Sequence, residues 1–141
     1  MKTRIVIGLV AALSCLAMPL LCRMPGGSAW VGQYLPDEGH RIGGMLLFCA
    51  FAMIPAVLVF CAGLLSKPPF HFPVLISTLV ALTMLGYWHH GLDLAADAQA
   101  AIALVFIPIY AAGLALVGAL VGLGLQGLIR SPGTKAKPRG A

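Results

Sequence analysis

Four stretches of apolar residues, separated by polar segments, organise this chain. They lie at about residues 5–22, 42–65, 72–88 and 98–127. A helix needs about 20 apolar residues to cross the hydrocarbon core of a bilayer, and these stretches reach or approach that length. Charged residues lie in the flanks, the loops and the tail, away from the centres of the stretches. The pattern predicts an all-α integral membrane protein, a bundle of four transmembrane helices over residues 1–129.

The first stretch admits two interpretations. Ile5–Leu21 follows two basic residues, Lys2 and Arg4, as the apolar part of a signal peptide would. Its 17 residues exceed the roughly 7–15 of a typical signal peptide, which favours a retained helix. The small residues Gly27-Ser28-Ala29 offer a cleavage site, but Arg23 lies between them and the apolar run. Cleavage would leave a bundle of three transmembrane helices.

Prolines and one acidic residue mark the predicted ends and bends. Pro55 and Pro108 lie inside apolar stretches and predict kinks in the second and fourth helices. Ser66-Lys67-Pro68-Pro69 predicts a sharp turn after the second helix. Pro73 suits the first turn of the third helix, and Asp97 is the predicted N-cap of the fourth.

Composition supports a membrane location. The 141 residues are 60% hydrophobic and 9% charged, with a mean hydropathy of +0.99. A soluble domain of this size has too much surface to hide so many apolar side chains, so the lipid bilayer is the expected partner. The nine basic residues are grouped at helix ends rather than along one face, which argues against nucleic acid as a partner.

The distribution of basic residues predicts the orientation. Seven of the nine lysines and arginines fall on one predicted side of the membrane, and Arg23 and Arg41 fall on the other. The positive-inside rule therefore predicts both termini in the cytoplasm of a multi-pass protein of a bacterial cell inner membrane. The tail at 130–141, with four basic residues, is predicted to be disordered or to lie on the lipid surface.

Histidines and one acid form the cluster with most chemical potential. His40 precedes the second helix, and His89, His90 and Asp93 follow the third, so all are expected at the same membrane depth. Imidazole and carboxylate groups bind zinc, copper or haem iron. Adjacent histidines on one helix diverge, however, and the spacing fits no ligand signature. We therefore predict no metal and no cofactor, and the four cysteines are interpreted as packing residues.

Small residues in the fourth stretch predict a close helix–helix contact. Gly118 and Gly122 form a Gly-x-x-x-Gly pair, with Ala115 and Ala119 alongside at four-residue spacing. Without bulky side chains, two helices approach closely and gain dispersion energy. The partner is either another helix of the same chain or a helix of a second chain.

The functional prediction is correspondingly broad. The sequence contains none of the common catalytic motifs, and its apolar stretches carry no acid of the kind that couples transport to ions. The leading hypothesis is a non-enzymatic accessory or structural subunit that acts through helix–helix packing, in a homo-oligomer or a larger membrane complex. The alternatives are an oligomeric passive channel or small-solute permease, and a binder of metal or haem at the histidine-bearing face.

Overall fold

The computed structural model describes residues 1–34, 42–95 and 99–130, without the side chains of 42–49 and 101. All the secondary structure in these ranges is helical. A 3₁₀ turn, Met24–Gly26, follows the first helix. The α-helices are α1 (Lys2–Leu21), the short α2 (Gly27–Gly32), α3 (Ile42–Leu65), α4 (Phe72–Gly91) and α5 (Ala100–Arg130).

The four long helices lie close to the four predicted stretches. The bounds of α3 coincide with the prediction. Helix α4 continues three residues past 88, so His89 and His90 are both helical. Helix α5 ends at Arg130, so this residue belongs to the helix and not to the predicted tail. Asp97 and the tail after Arg130 lie outside the described residues.

The long helices pack as a ring. Helix α1 contacts α3 and α4, and α5 contacts the same two helices from the opposite corner. The α1–α3 contact is close: a Cβ built on Gly63 would lie 2.5 Å from the Cα of Gly8. Because Gly8 is near the start of α1 and Gly63 near the end of α3, these helices are antiparallel.

The interior is built mainly from small residues. Its fully buried apolar positions include Cys15 of α1, Val59 of α3, Leu85 of α4 and Ala111 of α5. Small side chains let the helix axes approach, which suits a bundle held by dispersion contacts between helices. Large apolar side chains instead cover the outside, including Val10, Leu79, Leu120 and Leu128.

That exterior matches a bilayer better than water. Within the described residues, three segments are long and apolar enough to cross a membrane: Lys2–Gly32, which takes in α1 and α2, Phe72–Gly91 and Ile102–Arg130. In α3, the part with described side chains, Ala50–Leu65, is apolar but shorter. The predicted kinks at Pro55 and Pro108 fall inside α3 and α5 and remain predictions.

The two ends of the bundle differ in polarity. One end, called the basic end, carries Lys2, Arg4, Lys67 and Arg130. Its α3–α4 loop is tied to α5, because the backbone N–H of Lys67 donates to Oε1 of buried Gln126 at 2.6 Å and Arg130 donates to the carbonyl of Pro68. The opposite end carries the cluster described next.

Candidate functional site

Six polar and aromatic side chains meet at the end of the bundle opposite the basic end. They come from the segment after α1, from α2 and the turn after it, and from the end of α4. We call them the Arg23 cluster, and its members are Arg23, Trp30, Gln33, Tyr34, His89 and Asp93.

Arg23 is the centre of this cluster and is 0% exposed. Its Nε donates to the carbonyl of Trp30 at 2.9 Å, and Nη1 donates to the carbonyls of His89 at 3.0 Å and Leu92 at 2.6 Å. Nη2 donates to Oε1 of Gln33 at 2.5 Å. Four of the five guanidinium N–H groups are thus bonded. A buried charge is tolerated only when it is satisfied in this way.

The same bonds cap the C-terminal end of α4. The last carbonyls of a helix have no partner within the helix, and they carry the negative end of its dipole. Arg23 satisfies the carbonyls of His89 and Leu92, and the indole Nε1 of Trp30 donates to the carbonyl of His90 at 3.3 Å. A cation placed there gains from both the hydrogen bonds and the dipole.

Gln33 links the guanidinium to the carboxylate of Asp93. Its Oε1 accepts from Arg23 and from the backbone N–H of Leu94 at 3.1 Å, while its Nε2 donates to Oδ1 of Asp93 at 2.9 Å. Oδ1 of Asp93 also accepts from the backbone N–H of Ala95 at 2.9 Å, which closes a turn after α4. The link therefore joins the segment after α1 to the loop after α4.

Aromatic rings enclose the guanidinium. Its carbon Cζ lies 4.6 Å from the ring centroid of Trp30 and 4.1 Å from that of Tyr34, distances at which a cation is attracted to a ring face. The Tyr34 ring meets His89 edge-on, with the centroids 5.6 Å apart. The Tyr34 hydroxyl lies 2.7 Å from Nδ1 of His89, which is 0% exposed.

The phenol of Tyr34 keeps its proton across the physiological range. Burial raises the pKa of Tyr34 from its ordinary value near 10 to about 12, because the phenolate is poorly solvated there, and the charge of Arg23 offsets only part of the rise. The hydroxyl therefore remains able to donate to Nδ1 of His89.

The two adjacent histidines have different roles, as the helical spacing predicts. His89 faces the interior, whereas His90 is exposed and its Nδ1 lies 2.9 Å from the carbonyl oxygen of Cys22. A carbonyl only accepts, so Nδ1 of His90 carries the proton and Nε2 faces away from this bond. Both histidines thus tie α4 to the end of α1 or the segment after it.

The structure does not bring together the three candidate metal ligands that it describes, His89, His90 and Asp93. Among the described residues, no group of three or more histidine, cysteine or acidic side chains is placed to hold a metal ion. His89 and His90 point to different neighbours, and Asp93 is bonded to Gln33. The fourth candidate ligand, His40, lies outside the described residues.

The small residues of α5 lie against α4 of the same chain. A Cβ on Gly122 would be 2.5 Å from the Cα of Pro73, and one on Gly118 would be 3.1 Å from the Cα of Ser77. The Ser77 hydroxyl donates to the carbonyl of Ala115 at 2.9 Å. Ala115 and Ala119 are also buried. The stripe is thus occupied within the chain along this part of α5.

The sequence analysis did not single out Trp30, Gln33 or Tyr34, and it considered Arg23 only for cleavage and orientation. One signal pointed to Arg23: with Arg41, it is one of two basic residues on the side where the positive-inside rule expects few. Trp30 and Tyr34, which follow Arg23 in the chain, are four residues apart, a spacing that places both rings on one face of a helical turn.

No protein-family model, no curated protein and no solved structure matches the chain. The fold and the cluster define a class only: a small helical protein with apolar helices of membrane-spanning length and a buried arginine that makes four hydrogen bonds. The role of the Arg23 cluster therefore has to be inferred from its own geometry.

Replacing Tyr34 with phenylalanine tests the aromatic part of the cluster. The ring over Arg23 is kept, but the hydrogen bond to His89 is lost, so we expect the free energy of unfolding to fall by about 1 kcal/mol at neutral pH. The raised pKa also makes this contribution depend on pH. The folded state holds the phenol proton more tightly than the unfolded state, so the contribution of Tyr34 to the free energy of unfolding is fully present below pH 10 and is lost as the pH rises through about 12.

The measurement is the unfolding temperature of both proteins in detergent as a function of pH. The difference between wild type and Tyr34→Phe should shrink through this alkaline window. Tyr87, which is exposed, supplies the control, since Tyr87→Phe should leave the wild-type profile unchanged. A constant difference at every pH would show that Tyr34 does not titrate in the folded protein as inferred.

Proposed function

We propose that the protein is a non-enzymatic accessory or structural subunit of a bacterial inner membrane, with four transmembrane helices and both termini in the cytoplasm. The observation that carries the proposal is the complete burial of Arg23 together with its four hydrogen bonds. The polar side chains of the Arg23 cluster bond to one another and to the backbone, and these bonds hold the segment after α1, α2 and α4 together.

The exterior of the bundle supports the membrane part of the proposal. Large apolar side chains are exposed along every long helix, among them Leu13 at 62%, Leu79 at 68% and Leu128 at 74%. A water-soluble protein does not leave such continuous apolar surface uncovered unless a partner or lipid covers it. Helix α1 shares the packed interior, since Cys15 is fully buried, and this favours its retention over cleavage.

The separation of charges supports the proposed orientation. The exposed cations Lys2, Lys67 and Arg130 lie at the basic end, where the positive-inside rule places the cytoplasm. The one described cation at the other end, Arg23, is withdrawn from solvent and acts within the fold. A retained α1 then places the N-terminus and the end of α5 on the same side.

The proposal is tested by purifying a C-terminally tagged form from its native membrane in mild detergent or nanodiscs and measuring the mass of the particle. We expect a stoichiometric foreign subunit, and the tag should be cleaved by protease only after the membrane is opened to the cytoplasmic side. As a control, the Gly122→Leu variant, in which α4 and α5 are forced apart, should recover less of that subunit.

A discrete homo-oligomer with no foreign subunit would overturn the accessory role and leave the channel hypothesis, for which single-channel conductance is the next measurement. Cleavage of the tag in intact cells from outside would overturn the orientation. These two results are independent, because the first concerns association and the second concerns topology.

A further inference from the structure

The α1–α4 contact leaves an open groove at the basic end. Its volume is about 590 Å³, and five residues from each helix line it. The most exposed of them are Val6 and Val10 of α1 and Leu75 and Leu79 of α4. We call it the basic-end groove. It opens sideways, on the surface where the exposed apolar side chains would face lipid.

The groove offers an occupant no free hydrogen-bond donor. Its two hydroxyls, Ser14 and Thr78, donate to carbonyls one turn back in their own helices, those of Val10 at 2.9 Å and Val74 at 2.5 Å. The remaining lining is aliphatic. A hydrocarbon chain fits this chemistry, whereas a polar solute would lose its bonds to water without replacement.

The length of the groove matches one leaflet. On α1 it extends from Val6 to Ser14 and on α4 from Val74 to Leu82, and eight residues of helix rise about 12 Å. Half of the roughly 30 Å hydrocarbon core is about 15 Å. The groove therefore spans most of the leaflet next to the basic end, and an acyl chain of that leaflet would lie along it.

Charge at the mouth of the groove identifies the headgroup. Lys2 is exposed and lies four residues before Val6, so it is one turn beyond the groove on the same face of α1. Lys67 and Arg130 add positive charge at the same end, while Asp93, the one acidic residue in the ranges 1–34, 42–95 and 99–130, lies at the other end of the bundle. This end therefore attracts anions without compensation.

We propose that the basic-end groove holds an acyl chain of an anionic phospholipid, with its phosphate at Lys2. A second groove between α1 and α4, of about 610 Å³, lies toward the Arg23 cluster and is lined in part by Trp88 and His90. Among the described residues the one lysine or arginine at that end is Arg23, which is buried, so no exposed basic side chain of the described part of the chain faces the second groove. The proposal stands apart from the proposed subunit role, since it needs only the membrane-embedded chain.

The test uses purified protein exchanged into equimolar phosphatidylglycerol and phosphatidylcholine with identical acyl chains, and native mass spectrometry of the lipid retained. We expect about a fivefold preference for phosphatidylglycerol, the factor that corresponds to one basic residue near an anionic headgroup. Lys2→Gln should remove most of the preference. Lys67→Gln, at the same end but outside the lining of the groove, is the matched control and should keep most of it.

A second pair of variants tests the groove itself. Leu79→Trp fills it and should cut total lipid retention, whereas Leu116→Trp should not, because Leu116 is exposed on α5 at a similar depth. All four substitutions are at exposed positions, so an unchanged unfolding temperature confirms that the fold is intact. Equal effects of Lys2→Gln and Lys67→Gln, or of both tryptophans, would overturn the proposal. The proposal would also be overturned if the wild type were a dimer and Leu79→Trp a monomer, since a second copy of the chain would then occupy the groove.

Discussion

Replacing Arg23 with alanine is expected to lower the free energy of unfolding by about 3 kcal/mol or more. The substitution removes the guanidinium but leaves its acceptors behind, the carbonyls of Trp30, His89 and Leu92 and the amide oxygen of Gln33. Each buried acceptor without a donor costs about 1–3 kcal/mol, and water can reach only some of them. The stacking between the Trp30 and Tyr34 rings and the cation is lost as well.

The measurement is reversible unfolding in mixed micelles, followed by circular dichroism. Arg23→Lys should lie between wild type and alanine, because an ammonium keeps the charge but cannot reproduce the planar fork of donors. Arg130→Ala is the matched control: this arginine is exposed and makes one bond, to the carbonyl of Pro68, so its loss should cost about 0.5 kcal/mol or less. Equal losses for Arg23→Ala and Arg130→Ala would contradict the central role of the cluster.

The second large effect is expected at Gly122, which has the shortest contact with α4 among the glycines of α5. A leucine there would place Cβ 2.5 Å from the Cα of Pro73 and further atoms inside the α4 backbone, which cannot move like a flexible side chain. Overpacking of this kind costs about 1–3 kcal/mol, and more when backbone must shift. We therefore expect Gly122→Leu to separate the N-terminal part of α4 from α5, and to lower the yield of folded protein.

Two other glycines on α5 supply a graded comparison. Gly118→Leu should be less damaging than Gly122→Leu, because its nearest α4 atom is the Cα of Ser77 at 3.1 Å. Gly124→Leu is the control, since nothing lies within 4 Å of a Cβ at that position. The order of unfolding temperatures should be Gly124→Leu, Gly118→Leu, Gly122→Leu, from highest to lowest. If Gly118→Leu and Gly122→Leu both retained the wild-type fold and oligomeric state, the predicted packing role of the stripe would be wrong.

The positions of the four long helices could be predicted from the sequence. Long apolar stretches bounded by prolines, glycines and charges admit few structures other than helices of about the observed length. The end of α4 was placed three residues too early because His89 and His90 were taken as loop polars. Their side chains are compatible with a helix once its last carbonyls are capped, and the cap comes from Arg23 and Trp30, distant in sequence.

The contacts of His89 and His90 could be predicted only in part from the sequence. Helical spacing correctly predicts that His89 and His90 diverge. It does not reveal that His89 meets Tyr34, because that contact joins residues 55 apart in sequence. The same holds for Gln33 and Asp93, which are 60 apart. Loop residues carry no periodicity, so their partners cannot be inferred before the helices are docked.

By itself, the sequence determined that the chain is helical, that its long stretches are apolar enough to span a membrane, and that its lysines and arginines lie outside the centres of these stretches, because these properties depend on composition and order alone. Only the tertiary structure decided which helices are neighbours, that Gly118 and Gly122 pack against α4 of the same chain, and that Arg23 is buried with four hydrogen bonds. The physical reason is that a buried charge is stable only where several acceptors converge, and such convergence exists only in the folded bundle.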